Sequence, residues 1–230
     1  MNIKNIRQIL VLILILASFI FFFPWGGIPT APEAYEPNLK PSHNLDAELP
    51  HSLQQAGVRA LPQQYVEHEP IRIAKNEDFA ALGFPGVGTP FTPYLIEGLN
   101  ITSATRTLIR IKDTTAYFCI RNNLLNGSTD WDLIKWDYPL KEAYGIKLKH
   151  VTHGTIDSNL VINCERGILL NQSEQNTLIN NTVAHNYDYG ISLEHSKYST
   201  ITHNTVAHNH FKAISLANSG HSTLTQNNIT

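Results

Sequence analysis

The chain has 230 residues, with 17 Lys and Arg against 19 Asp and Glu and a formal charge of −2. So even a balance gives no electrostatic case for nucleic acid, whose phosphates are held by basic patches. Eleven His and many Asn, Thr and Ser make the surface rich in hydrogen-bonding groups rather than in charge.

Residues 1–27 are a different material from the rest. Lys4 and Arg7 precede an apolar run from Ile9 to Phe23, interrupted only by Ser18, and Pro24-Trp25-Gly26-Gly27 follows. A basic start and an apolar segment predict export, with the C-terminal side outside the membrane. A signal peptide and a retained N-terminal membrane anchor both remain open: no Ala-x-Ala site follows, the run is shorter than a span of about 20 residues, and Trp25 suits an anchor. Residues 28–70 contain Pro29, Pro32, Pro37, Pro41, Pro50, Pro62 and Pro70 with few regular apolar positions, the composition of an extended linker. After the strand-like Ile71-Arg72-Ile73, the stretch from Asn76 to Gly83 predicts a short helix. Asn76 is its expected N-cap, Glu77 and Asp78 lie in its first turn, and Gly83 ends it.

From Gly145 onward the sequence repeats every 22 or 23 residues. Gly145, Gly167 and Gly190 each open a strand of the form Gly-Ile-x-Leu, and Ala213 opens a fourth as Ala-Ile-Ser-Leu. A second apolar position follows at Ile156, Leu178, Ile201 and Leu224, then Asn159, Asn181, Asn204 and Asn227, then Val161, Val183, Val206 and Ile229. So short a period, with alternating side chains, predicts a stacked β coil with copies about 4.8 Å apart. One coil cannot bury its own apolar face, so stability comes from stacking, and the predicted helix would cover the open end of the first coil. The recurring Asn is expected to bond its copies above and below. Asn186 and Asn209, with Cys164 in the equivalent place, form a second such column. Ile109, Ile111, Ile120, Asn123 and Leu125 fit the same pattern if the first bend is one residue longer. Ile96 and Ile101 fit a coil before that, with Leu99 in the Asn position. The fold class expected for 71–230 is all-β, a solenoid of about six coils.

The pattern has one large interruption, residues 127–144. It contains Trp131, Trp136, Asp130, Asp132, Asp137 and Tyr138, and loops thrown out from a rigid frame are where function concentrates. The tryptophans suit stacking on sugar faces. The aspartates suit hydroxyl hydrogen bonds, calcium ligation or acid and base roles, with Asp130 and Asp132 the candidate catalytic pair. The competing reading has the aromatics covering the coil flank and the acids solvated. His185 and His208 share one position in adjacent coils, with Asn163 before them. His150 and His195 share another with Gln172 between, and His153 and His221 share a third. A stacked pair offers two ligands to copper or zinc where a site needs three or four, so a surface ladder is expected. Cys119 and Cys164 fall at different places on the turn and are expected as buried thiols. Sequons start at Asn100, Asn126, Asn171, Asn180 and Asn228. The repeat stops within a coil at Thr230, which leads us to expect further coils or a covering partner.

The motif Gly-Ile-x-Leu with Ile-x-x-Asn-x-Val is similar to the right-handed parallel β-helix repeats of the pectin-lyase-like superfamily. It particularly resembles the carbohydrate-binding and sugar-hydrolase type domain of periplasmic NosD copper-maturation proteins and archaeal surface proteins. The stretch from Gly83 to Pro90, with Pro93 to Gly98, resembles the opening of such archaeal proteins. The resemblance covers about Ile71 to Thr230 and implies the fold, which hosts lyases, hydrolases, epimerases, adhesins and copper-delivery factors. Enzymatic motifs transfer poorly. Arg110-Ile111-Lys112 and Thr152-His153-Gly154 resemble two polygalacturonase motifs in reverse order, without that family's paired aspartates. Arg110 reads as an outward strand residue, and Arg166 shows no acidic cluster around it. The leading expectation is an extracytoplasmic, secreted or anchored β-helix that binds a polysaccharide or surface glycan through Trp131, Trp136, Asp137 and Tyr138. A polysaccharide lyase or hydrolase comes second and NosD-like copper handling third. No resident cofactor is expected, calcium and copper being the ions to test.

Overall fold

The computed structural model describes residues 65–128 and 142–230, all within the compact unit Leu39–Thr230; the other unit, Met1–Asn38, lies outside the described residues. The first coil contains β1 (Val66–Glu67), β2 (Ile71–Ile73) and the helix α1 (Glu77–Ala81). Then come β3 (Tyr94–Glu97), β4 (Leu99–Thr102) and β5 (Ile109–Thr114), followed by β6 (Phe118–Arg121), β7 (Leu124–Asn126) and β8 (Ile146–Val151). The regular coils are β9 (Gly154–Asp157), β10 (Leu160–Ile162) and β11 (Ile168–Asn171), then β12 (Thr177–Ile179), β13 (Thr182–Ala184) and β14 (Tyr189–Glu194). Next are β15 (Thr200–Thr202), β16 (Thr205–Ala207) and β17 (Lys212–Ala217), and last β18 (Thr223–Thr225) and β19 (Asn228–Ile229).

Every third strand pairs, always in parallel. Sheet A runs β1-β4-β7-β10-β13-β16-β19, sheet B runs β2-β5-β8-β11-β14-β17, and sheet C runs β3-β6-β9-β12-β15-β18. This is the expected right-handed parallel β-helix, with the hand that L-residue strands impose on parallel crossovers. The register stacks like on like: Ile109, Ile146, Ile168, Ile191 and Ile214 in sheet B, and Ile120, Ile156, Leu178 and Ile201 in sheet C. Leu125, Val161, Val183 and Val206 do the same in sheet A. All but Ile214 are fully buried in one continuous core. Burying each such side chain contributes about 1.5–3 kcal/mol.

Two further columns hold the corners. Asn159, Asn181, Asn204 and Asn227 form a chain of amide bonds, for example Asn159 Nδ2 to Asn181 Oδ1 at 3.0 Å and Asn181 Nδ2 to Asn204 Oδ1 at 2.9 Å. Asn186 donates to Asn209 at 2.9 Å, and Cys164 N donates to Asn186 Oδ1 at 3.0 Å. Leu99, the apolar residue in the Asn position, uses its own N–H instead, donating to Asn123 Oδ1 at 3.0 Å.

The N-terminal end differs from expectation in two respects. Pairing begins at Val66, opposite Leu99, so the last residues assigned to the linker already belong to sheet A. Asn76 has helical dihedrals and caps nothing. Its Oδ1 accepts from the Thr114 hydroxyl and from the N–H groups of Thr115 at 3.0 Å and Ala116 at 3.2 Å, so it bonds the bend of the next coil. The helix start is tied by Asp78, which accepts from Ala74 N at 2.7 Å. In chain order α1 is inserted between β2 of sheet B and β3, the first strand of sheet C. Its Phe79 is fully buried, stacked on Tyr94 at 4.8 Å and on Phe118 at 5.4 Å. No helix among the described residues is long and apolar enough to cross a membrane, and the run Ile9 to Phe23 lies outside them.

Candidate functional site

Asp130, Trp131, Asp132, Trp136, Asp137 and Tyr138 lie outside the described residues. The two chain ends that flank them are fixed at the corner between sheets A and B. Gly127 N donates to Ile162 O at 2.9 Å, the Thr107 hydroxyl donates to Glu142 O at 2.5 Å, and Ala143 N donates to Glu165 Oε2 at 3.3 Å.

Alternation along each strand puts Ile and Leu inward and turns the intervening residues of sheet B outward. The position just before each strand-opening Gly or Ala forms a column of Tyr144, Arg166, Tyr189 and Lys212, in which Tyr144 is buried, Arg166 and Tyr189 are half-buried and Lys212 is exposed. Cations and rings alternate along it. The Arg166 guanidinium lies 4.9 Å from the Tyr189 ring and 5.8 Å from that of Tyr144, and Lys147 Nζ lies 4.7 Å above Tyr144. Lys212 lies 5.9 Å from Tyr189 and 5.3 Å from Phe211, whose ring is 60% exposed. Such contacts are favourable because the ring face is electron-rich.

Arg166 has an acidic cluster after all. Its Nε donates to Asp188 at 2.8 Å and its Nη1 to Glu194 at 3.0 Å, while Asn171 donates to the other Glu194 oxygen at 2.9 Å. The correction has a simple cause: Asp188 and Glu194 are remote in sequence but one coil away in space. Glu165, 2% exposed, feels the charges of Arg166 and Asp188. Burial raises its pKa above the ordinary value, against the lowering by the Ala143 N–H and by Arg166. Burial likewise pushes the Tyr144 hydroxyl up to about 12.

The histidine columns form as expected. His185 and His208 stack with ring centroids 5.1 Å apart at 23°, and His150 bonds Gln172 at 2.8 Å and also Asp113 at 2.8 Å. Their cause was missed. His150, His153, His185, His195, His203, His208 and His221 all have positive φ, as do Asp113, Asn122, Asn163, Asn180 and Asn218 in equivalent corners. Left-handed backbone selects Asn, Asp and His among residues with side chains, so the corners recruit histidine for conformation. Between two of these corner columns Gln172, Glu174, His195, Lys197, Asn218 and Gly220 line an open groove of about 610 Å³.

A family profile described as "Periplasmic copper-binding protein (NosD)" matches residues 109–230, more than half of the chain. The chain belongs to the NosD family. Among solved structures it is similar to the Azotobacter vinelandii mannuronan C-5 epimerase AlgE4 A-module, at 13% identity and a TM-score of 0.35. That match covers 59% of this chain and 45% of the epimerase module, so the chain spans under half of it. No curated protein matches.

The described residues of this NosD-family chain do not fit the copper of the family's description. No group of three or more His, Cys, Asp or Glu among them could hold a metal ion. His185 and His208 lie face to face rather than converging on a point. The Cys164 thiol, fully buried, is pushed up to about 12 by burial, far from the thiolate that binds metal. Both cysteines are free, Cys164 buried and Cys119 half-buried, and burial pushes Cys119 up to about 11.

Proposed function

We propose that this NosD-family solenoid is an extracytoplasmic glycan-binding protein, and that the outer face of sheet B beside the insertion holds the sugar chain. The family's periplasmic description supports the location. The observation that carries the binding role is the column of Arg166, Tyr189 and Lys212, flanked by Asp188, Glu194 and Asn171 and packed at one end on the buried Tyr144 ring. Planar rings and fixed donors and acceptors, repeated once per coil on a rigid frame, suit a ligand that itself repeats. Rings take the apolar faces of sugars, and carboxylates, amides and guanidinium take hydroxyls. Trp131 and Trp136, outside the described residues, are further stacking groups for the glycan in this proposal, with Asp137 and Tyr138 as hydroxyl partners.

Copper handling is favoured only by the family description, since the described residues bring no ligand set together. The lyase or hydrolase reading keeps Asp130 and Asp132 as its candidate acids, and turnover of any bound glycan is the measurement that separates it from simple binding.

The test is a glycan array probed with the full chain, alongside the Trp131→Ala/Trp136→Ala pair and Tyr189→Ala. We expect binding by the parent and at least tenfold weaker binding by each variant, with circular dichroism and melting temperature retained. A parent that binds no glycan would refute the proposal.

A further inference from the structure

The outer face of sheet B is uneven along the solenoid axis. In its last three strands, β11, β14 and β17, the residues between the inward ones are Leu169, Ser192 and Ser215, the first two buried, with Asn171, Glu194 and Ala217 in the next row. In its first three strands, β2, β5 and β8, the same rows hold Arg72, Arg110 and Lys147, and then Lys112 and Lys149. Neighbouring strands are about 4.8 Å apart, so these cations stand side by side, an arrangement that opposes pairing. Counter-charge among the described residues is sparse. Glu142 accepts from Lys147 at 3.0 Å, and Asp113 pairs with Lys112 at 3.3 Å while also bonding His150.

Among the described residues neither arginine forms a salt bridge, although the Arg110 charge is felt by Glu142, which pairs with Lys147. Arg72 donates to the Thr107 carbonyl at 2.6 Å and to the Ile71 carbonyl at 2.9 Å. Burial lowers its pKa, and the nearby charges of Arg110 and Arg106 lower it further. Arg110 Nε is buried and has no hydrogen-bond partner. A buried guanidinium nitrogen left unpartnered is costly, and a water, an ion or a ligand group can supply the missing partner. The chain as a whole carries −2, so this concentration of cations is a local feature and not a consequence of overall composition.

We infer that this end of sheet B is the subsite for an anionic unit of the glycan, a uronic-acid carboxylate, with the Arg110 guanidinium as its principal partner and Arg72, Lys147 and Lys149 around it. The inference rests on the glycan-binding reading above and assigns the substrate class to it: an acidic polysaccharide lying along the coil axis, its charged units over β2, β5 and β8. A guanidinium offers a carboxylate two parallel N–H donors, which an alcohol at the same position cannot match.

The experiment measures binding of the full chain to an oligogalacturonate and to the same oligosaccharide after carboxyl reduction. Anionic phosphatidylglycerol vesicles serve as a second source of negative charge. We expect the acidic oligomer to bind at least tenfold more tightly than its reduced form, with affinity falling as salt rises. Arg110→Gln should remove at least a tenfold share of that preference while the melting temperature holds or rises. The double variant Lys112→Gln/Lys149→Gln, at partly exposed positions, should weaken the acidic oligomer without altering the fold. Equal binding of both oligomers, or no effect of either variant, overturns the anionic assignment and leaves glycan binding standing. Binding to vesicles without binding to the acidic oligomer also overturns it. Failure to bind any saccharide removes both readings together.

Discussion

Asn181 shows how much one side chain holds in this fold. It is fully buried, its Nδ2 donates to Ile156 O at 2.8 Å, Ile179 O at 3.0 Å and Asn204 Oδ1 at 2.9 Å, and its Oδ1 accepts from Asn159 N at 3.0 Å and Nδ2 at 3.0 Å. Each buried group left without a partner costs about 1–3 kcal/mol, so Asn181→Ala should lose more than about 3 kcal/mol in urea unfolding. Glu165 tests the opposite case, a buried carboxyl that the fold does not welcome when charged. Its raised pKa means its contribution is fully present below the ordinary carboxylate value and is lost as pH rises through the folded value. Glu165→Gln keeps an acceptor for Ala143 N and should match the parent near pH 4 while melting a few degrees higher near pH 7 in calorimetry. The Asn column was legible in the sequence because its members recur at one spacing. Tyr144, Arg166, Tyr189 and Lys212 recur at the same spacing, yet were missed, because residue type varies along that column and only register shows that rings and cations alternate.

At the scale of the coil, the strand-opening glycines are a steric requirement. A Cβ on Gly167 would lie 2.3 Å from Val183 Cγ1 and 2.6 Å from Gly190 O, and Gly145 and Gly190 meet the same obstacles one coil away. Ala213 takes the position in β17, where the covering residues thin out: Leu216, Leu224 and Ile229 around it are 43%, 40% and 54% exposed. Gly167→Ala is therefore expected to destabilise by about 1–3 kcal/mol, whereas Ala213→Gly should stay within about 1 kcal/mol, both read from denaturant midpoints at unchanged slope. The Asn76 helix shows where local signals mislead. Asn followed by two acids is a sound N-cap pattern, but a five-residue helix gains less from its own cap than from Phe79 in the core. The Asn76 side chain instead satisfies the bend from Thr114 to Ala116, a partner far along the chain.

Across the described residues, the outer face of sheet B, to which the proposed function belongs, grades from cationic at β2, β5 and β8 to largely uncharged at β11, β14 and β17, where Glu194 stands among Leu169, Ser192, Ser215, Asn171 and Ala217. The predictions for glycan binding and for carboxylate preference both belong to this gradient, since no single coil displays it. The sequence by itself determined the coil period, the inward columns and the Asn ladders, because stacking requires near-identical side chains at every repeat and so writes them in register. It also placed the extra residue of the bend between Thr114 and Phe118, since the apolar positions on either side stay in phase only with it. Tertiary structure alone decided which outward residues become neighbours, as with Arg166, Asp188 and Glu194. It also decided that the corner histidines answer to left-handed backbone. Outward side chains are free of the core's demand for sameness, so their meaning depends on what lies one coil above and below.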